Sequence, residues 1–273
     1  MIVLALIFIF PIVFMFMSSL KPTPQLLRDS ASLRAFLPVG DISLDNYRGM
    51  FERAPVGRFI FNSLLVTIIT VSLGLFVNSL VGYAIALMRW SGKGVILGVI
   101  IATLVVPFEA IAVPLLLIVS KLPTISAEGL AQGWINTYHV QIIPFIAQAF
   151  VIFLFVQFFK SLPYDLIEAA RIDGAGWFQI YARVIVPISG PVFSTAAILM
   201  IMPMWNSYLW PLMTVQSEEL RPVMIGLSYF FQLNIVWGEV MAFLSFITIP
   251  VLIFFLAMQR TYIESIAASG IKG

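Results

Sequence analysis

The 273-residue chain has no cysteine, which excludes disulfides, thiolate metal sites and a thiol nucleophile. Charge is scarce as well. Asp, Glu, Lys and Arg make up 10% of the residues, against about 25% in a typical soluble domain. A net charge of +2 is too small to argue for a nucleic-acid partner. The single histidine, His139, has no partner set for a catalytic triad or a metal site. It reads as a capped or interfacial side chain at the mouth of an apolar run. No glycine-rich loop followed by Lys-Ser or Lys-Thr is present, so the sequence lacks the usual cradle for a nucleotide phosphate. No internal repeat or low-complexity segment is evident either. The expectation is a chain with no catalytic residues, no metal ligands and no cofactor of its own.

Apolar residues are abundant, at 61% of the chain, and they fall in long runs. A membrane-crossing helix needs about 20 predominantly apolar residues. Six stretches meet that length, at roughly 1–20, 59–88, 94–119, 139–160, 187–210 and 239–259. The expected fold class is an all-α membrane protein with six transmembrane helices in one domain, 1–273. The opening MIVLALIFIFPIVFMFMSSLK has an apolar run too long for a signal-peptide core and no small-residue cleavage pattern, so it reads as a retained span. Pro11, Pro107, Pro114, Pro144, Pro187 and Pro250 lie in or beside these runs, where neighbouring helices and waters can satisfy the freed carbonyls.

Between the runs, residues 21–58 mix charges of both signs with three prolines and suggest a small folded cap with a short helix near Leu44–Glu52, started by Ser43. Residues 121–138 read as a loop with one short helix, and 211–238 return through Glu218, Glu219 and Arg221. The 160–191 stretch, KSLPYDLIEAARIDGAGWFQIYARVIVPISGP, is different. Ser161 and Pro163 form a plausible helix start. Leu166, Ile167, Ala170 and Ile172 then recur at helical spacing, which predicts a short amphipathic helix. Gly174 interrupts it, and a second amphipathic turn follows from Trp177 to Val184. Helix–glycine–helix between two spans is the pattern of a docking device, though a solvated connector with a capped helix would look similar.

Glu168-Ala169-Ala170, Asp173-Gly174-Ala175, Pro187 and Pro191 resemble the cytoplasmic "EAA" loop of membrane subunits in binding-protein-dependent ABC importers. The flanks resemble the carbohydrate-uptake branch of that family (maltose, glycerol-3-phosphate and trehalose types). They are Ser19-Leu20-Lys21, Asn62-Ser63, Tyr83-Ala84, Trp205-Asn206, Gln259-Arg260 and the Gly270–Gly273 tail. The resemblance implies a coupling helix inside loop 161–186 that inserts into a cleft of a nucleotide-binding subunit. Carried onto this chain, Glu168 would meet an ATPase arginine, Ala169 and Ala170 would permit close packing, and Ala175 would belong to the same coupling surface. Gly174 would supply the bend, and Asp173 could cap the second helix. The partners implied are a second, related permease forming a heterodimer, two ATP-binding subunits that carry ATP and Mg, an extracytoplasmic solute-binding protein, membrane lipid and a small-molecule sugar. Counting basic residues in the loops is close to a tie and does not orient the chain. The resemblance implies a bacterial or archaeal inner membrane, with the loop and both termini cytoplasmic and 21–58 outside.

For the solute path the residues leave alternatives open. Glu109 is a carboxylate inside an apolar run, either facing a cavity or meeting a polar partner near an interface. Trp205, Asn206, Tyr208 and Trp210 could stack on and hydrogen-bond a sugar, or serve as interfacial anchors. Asn62, Asn78 and Gln148 fit the path or helix–helix hydrogen bonding equally. The function expected is half of an ATP-driven pathway for a sugar-like solute, with a glycerophosphodiester or polyol as the alternative cargo. A stand-alone secondary transporter would call for an inverted repeat and a coupling ion site. A membrane enzyme would call for clustered His or Asp/Glu at one interface.

Overall fold

A computed structural model describes residues 2–126, 129–232 and 234–270. Ile271, Lys272 and Gly273 lie outside the described residues, as do the side chains of Gln259 and Arg260. Helix α1 covers Ile2–Ser19, α2 Thr23–Asp29, α3 Asp45–Arg53 and α4 Val56–Leu87. Next come α5 (Lys93–Thr103), α6 (Phe108–Val119) and an antiparallel hairpin of β1 (Pro123–Ser126) and β2 (Gly129–Gln132). Then follow α7 (Tyr138–Ile142), α8 (Ala149–Lys160), α9 (Asp165–Ile172), α10 (Trp177–Ile180) and α11 (Val186–Ile188). The chain continues through α12 (Gly190–Trp205), α13 (Leu209–Thr214), α14 (Val223–Gly226) and α15 (Trp237–Gly270). The hairpin corrects the expectation of a loop with one short helix at 121–138. Its β-branched Thr124 and Ile125 suit a strand, and Ser126 pairs with Gly129.

Among the described residues, three helical stretches are long and apolar enough to cross a membrane: Val56–Leu87, Tyr138–Lys160 and Trp237–Ala257. Counting two bent pairs raises the number to five. Lys93–Thr103 and Phe108–Val119 meet at 105°, and Trp177–Ile188 and Gly190–Trp205 at 83°. The first bend falls at Pro107, whose extended backbone precedes α6. Pro11, Pro114, Pro203 and Pro250, by contrast, sit inside unbroken helices.

The chain forms two compact units. One comprises residues up to Ser63 with Ser217–Leu256. Here Lys21, just beyond α1, is almost fully buried, lies 3.2 Å from Asp29 and also donates to the Arg34 carbonyl. Asn46 on α3 donates to the carbonyls of Ser19 and Lys21, both at 2.8 Å, closing the C-terminal end of α1. The expected helix near 44–52 is α3, but Leu44 rather than Ser43 holds its N-cap position, and Ser43 Oγ accepts from the Asp45 N–H at 3.3 Å just ahead of it. Gly49 and Gly238 allow α3 to approach α15 closely, because a Cβ on either would collide with Glu239 or Asn46.

The other unit comprises Leu64–Gln216 with the chain beyond Ala257. Its largest cluster of buried side chains joins Val71, Tyr83 and Leu87 of α4 to Phe155 and Phe159 of α8, Ile167 of α9, and Ala196 and Met200 of α12. On α4, a Cβ on Gly82 would lie 2.6 Å from Phe155 Cβ, and one on Gly74 would crowd Met200 and the Ile146 carbonyl. Those glycines let the helices touch.

Candidate functional site

Two places in this unit carry the sequence-derived candidates. The first is the loop 161–186. Ser161 does not start its helix. It ends α8, donating to the Phe158 carbonyl at 2.7 Å, because its backbone still follows the helical path. Helix α9 instead begins after Pro163 and Tyr164, whose carbonyls accept from Leu166, Ile167 and Glu168. It ends at Gly174, whose φ of +81° is one that side-chain-bearing residues rarely adopt. The N–H of Gly174 then bonds Arg171 O and that of Ala175 bonds Ala170 O, the paired closure of a glycine-terminated helix. The second turn is α10, continued by a π-helical turn at Tyr181–Ile185. Asp173 does not cap it. Gly176 holds that position in an extended conformation, and Gln179 Oε1 reaches back to accept its N–H at 2.9 Å.

Ile167 is the one fully buried side chain of α9 and inserts into the main apolar cluster, while Ala170 and Ala175 pack at its edge. The opposite surface faces outward. Glu168, Ala169, Arg171, Asp173 and Gly174 are exposed, with Ile172 at 86% and Phe178 at 63%. Arg171 lies over the Trp177 ring at 4.8 Å, tying α9 to α10 across the turn. Apolar side chains this exposed, set among charges, mark a surface suited to a protein partner.

The second place is a cavity of about 490 Å³, within the range of small-molecule sites. Phe108, Phe145, Met204, Tyr208 and Trp210 form much of its wall, and Glu109, Gln148 and Ser207 supply polar groups. Glu109 sits in the first turn of α6, on the exposed side of that helix. Tyr208 is 44% exposed, whereas Trp210 is only 1% exposed. Trp210 is locked in place: its Nε1 donates to the Val140 carbonyl at 2.8 Å, and its ring meets Phe108 and Phe145 edge-on.

The structure therefore brings Glu109, Tyr208, Trp210 and Gln148 to one cavity, while Trp205 and Asn206 are not among the residues that line it. Trp205 is buried, and Asn206 ends α12 by donating to the Met202 carbonyl. Asn62 is fully buried and donates to the carbonyls of Glu219 and Arg221, holding that segment. Asn78 also acts on backbone. Its Nδ2 donates to Ile146 O and its Oδ1 accepts from Gln148 N, both at 2.9 Å, in the break between α7 and α8. His139 is exposed, with its ring 6.3 Å from that of Trp134. Phe108, Phe145 and Ser207 were not singled out in the sequence, where aromatic and small residues in apolar runs look alike. Among the described residues, no group of three or more His, Asp or Glu side chains is placed to hold a metal ion.

Several helices long and apolar enough to cross a membrane make this a multi-pass membrane protein. The chain belongs to the family of binding-protein-dependent transport system inner membrane components, whose pattern matches residues 78–266. It is 32% identical over 277 aligned residues to the arabinooligosaccharides transport system permease protein AraQ of Bacillus subtilis (strain 168), covering 99% of this chain and 92% of that one. It is 30% identical to the lactose transport system permease protein LacG of Rhizobium radiobacter, covering 97% and 92%. It is 28% identical to the trehalose transport system permease protein SugB of Mycobacterium tuberculosis, covering 96% and 92%. The fold is similar to a chain in the crystal structure of a bacterial ABC transporter involved in the import of the acidic polysaccharide alginate. That match has a TM-score of 0.77 at 24% identity, covering 94% of this chain and 92% of the other.

Proposed function

We infer that the chain is one permease subunit of an ATP-driven sugar importer. It would cross the inner membrane six times, through α1, α4, the bent α5–α6 pair, α7–α8, the bent segment ending in α12, and α15, as a single transmembrane domain. The observation that carries the reading is the outward face of α9 and α10, with Glu168, Ile172 and Phe178 presented around a glycine-closed turn. That surface suits a coupling helix seated in a partner ATPase, with Glu168 against a cationic side chain and Ala169 allowing close approach. ATP and Mg would belong to two such partners, and hydrolysis to them rather than to this chain. Loop 161–186 and both termini would then be cytoplasmic, and 21–58 would lie outside, facing a solute-binding protein. A related permease would complete the pathway.

Relatives that carry arabino-oligosaccharides, lactose and trehalose support a sugar cargo. The cavity adds chemistry to that support. Aromatic faces at Tyr208 and Phe145 suit stacking on sugar rings, and Glu109 and Gln148 accept or donate hydrogen bonds to hydroxyls. Relatives named for sn-glycerol-3-phosphate transport keep a phosphate-bearing solute as the alternative cargo.

The test is ATPase stimulation of the full complex in lipid by its binding protein with a panel of neutral sugars, polyols and glycerophosphodiesters. Stimulation by one sugar, abolished by Glu168→Lys, is the expected result. Stimulation by a glycerophosphodiester alone would overturn the sugar assignment, and ATP-independent transport by the isolated chain would overturn the importer reading.

A further inference from the structure

Helix α4 touches the exposed loop with one stripe of residues and the cavity wall with the next. Ser79 and Tyr83, one turn apart, face the loop. Tyr83 Oη donates to the Trp177 carbonyl at 3.0 Å, and Ser79 Oγ lies 2.7 Å from Tyr181 Oη. Ser79 also donates to the Phe76 carbonyl at 3.1 Å, which makes Tyr181 the donor in the pair. Ser79, Tyr83 and Tyr181 are all buried, at 0%, 3% and 4% exposure.

The adjacent stripe, Gly74, Asn78 and Gly82, meets the broken segment and α8. Asn78 bonds the backbone on both sides of cavity-lining Ala147, at Ile146 and Gln148. Gly74 and Gly82 remove the side chains that would hold the helices apart. The bonds to the loop and to the cavity wall thus leave α4 between residues 78 and 83, a rise of about 7.5 Å along one stiff helix.

We propose that Ser79 and Tyr83 are positioning residues that carry displacement of the 161–186 loop through α4 to the cavity wall at Phe145–Gln148. The proposal rests on the transport reading above. Packed rings resist being pushed together but yield when pulled apart, because dispersion contacts fade within an ångström or so of separation. Directional hydrogen bonds hold in both senses. The two hydroxyl contacts therefore make the loop's return stroke, as well as its forward stroke, felt at the cavity.

The experiment uses the complete complex in lipid with the binding protein and a transported sugar. Tyr83→Phe keeps the ring and loses the bond to Trp177, Ser79→Ala loses the bond to Tyr181, and Ser79→Thr keeps a hydroxyl. Sugar transported per ATP hydrolysed is expected to fall about fivefold in each of the first two, the weight of one ordinary hydrogen bond. Basal ATPase and subunit assembly should be unchanged, and Ser79→Thr should recover the ratio. Because this chain has no cysteine, spin labels can be placed at Ala182→Cys and Ile143→Cys, exposed positions outside both the α9–α10 face and the cavity lining. Their separation should stay nearly constant on ATP addition in the unsubstituted complex and should change in Tyr83→Phe. Equal ratios and equal distance changes in Tyr83→Phe, Ser79→Ala and the unsubstituted complex would overturn the proposal. No ATP-driven sugar uptake by the unsubstituted complex would instead overturn the transport reading beneath it.

Discussion

Lys21 Nζ lies 3.2 Å from Asp29 Oδ2, and both side chains are almost sealed from solvent, at 1% and 3% exposure. Burial pushes the Asp29 carboxyl up. Hydrogen bonds from Lys21 and Gln25 and the charges of Lys21 and Arg34 outweigh it, holding the group below its ordinary value of 3.8. A carboxyl depressed in the folded state contributes stability above its unfolded pKa and loses it as pH falls through the folded value. The thermal midpoint of the purified protein should therefore drop as pH falls below about 4, and Asp29→Asn should remove part of that pH dependence. Lys21→Met should destabilise more than the double substitution Lys21→Met with Asp29→Leu, since the single change strands a buried charge. An additive double variant would count against a coupled pair.

Gly174 gives a second test, in which backbone angle and bulk separate cleanly. A Cβ there meets nothing within 4 Å, so the only obstacle to substitution is the φ of +81°. Gly174→Val should cost the loop about 1–2 kcal/mol and lower coupled ATPase activity. Gly174→Asn should be much milder, because asparagine tolerates the left-handed region. If Asn and Val are equally damaging, contact with a partner rather than backbone strain sets the requirement at this position.

The cavity aromatics should respond in opposite ways. Trp210→Ala removes a buried ring and leaves the Val140 carbonyl unpaired, so a loss of about 3–5 kcal/mol of stability is expected, read as poor expression or a lowered thermal midpoint. Tyr208→Phe and Glu109→Gln should leave stability within about 0.5 kcal/mol and shift the sugar concentration needed for half-maximal uptake. Unchanged uptake in both would remove this cavity from the solute path.

Asn78→Leu should leave the Ile146 carbonyl and the Gln148 N–H without the partner they now share. The expected cost is about 1–3 kcal/mol per stranded group, with faster proteolysis at the break between α7 and α8. Asn78→Asp keeps the acceptor for Gln148 but sets a buried carboxylate against the Ile146 carbonyl, so it should cost at least as much as Asn78→Leu.

Much of the loop was legible because its signals are local. An amphipathic spacing from Leu166 to Ile172 and a glycine at the one left-handed position produce the same turn wherever the chain is placed. The breaks in the apolar runs were not legible. Pro107 and Pro144 mark them, yet Pro11, Pro114, Pro203 and Pro250 look the same in sequence and sit in continuous helices. What distinguishes Pro144 is distant: Asn78 on another helix takes up the backbone groups that its break sets free. The cavity is legible only in fragments for the same reason. Glu109 and Tyr208 stand out as polar or aromatic residues in apolar surroundings, but their joining with Phe145 and Ser207 depends on how α6, α8 and α12 fold together. Trp205 and Asn206 share the local signature of Tyr208 and fall elsewhere, one buried and one ending a helix. The capping roles first read for Ser161 and Asp173 went to neighbouring positions, because a cap is decided by backbone angle and both residues sit at helix C-termini.

Helix α9 is only two turns long, too short to persist alone in water, and Ile167 is its single fully buried side chain. Its local opening free energy should therefore lie far below that of the core built on α4, α8 and α12. In the unassembled subunit its amides should exchange with solvent among the first of the ordered helices. Docking of a partner on the Ile172 and Phe178 face should then appear as a marked slowing of that exchange, making hydrogen–deuterium protection of residues 165–172 a direct gauge of assembly.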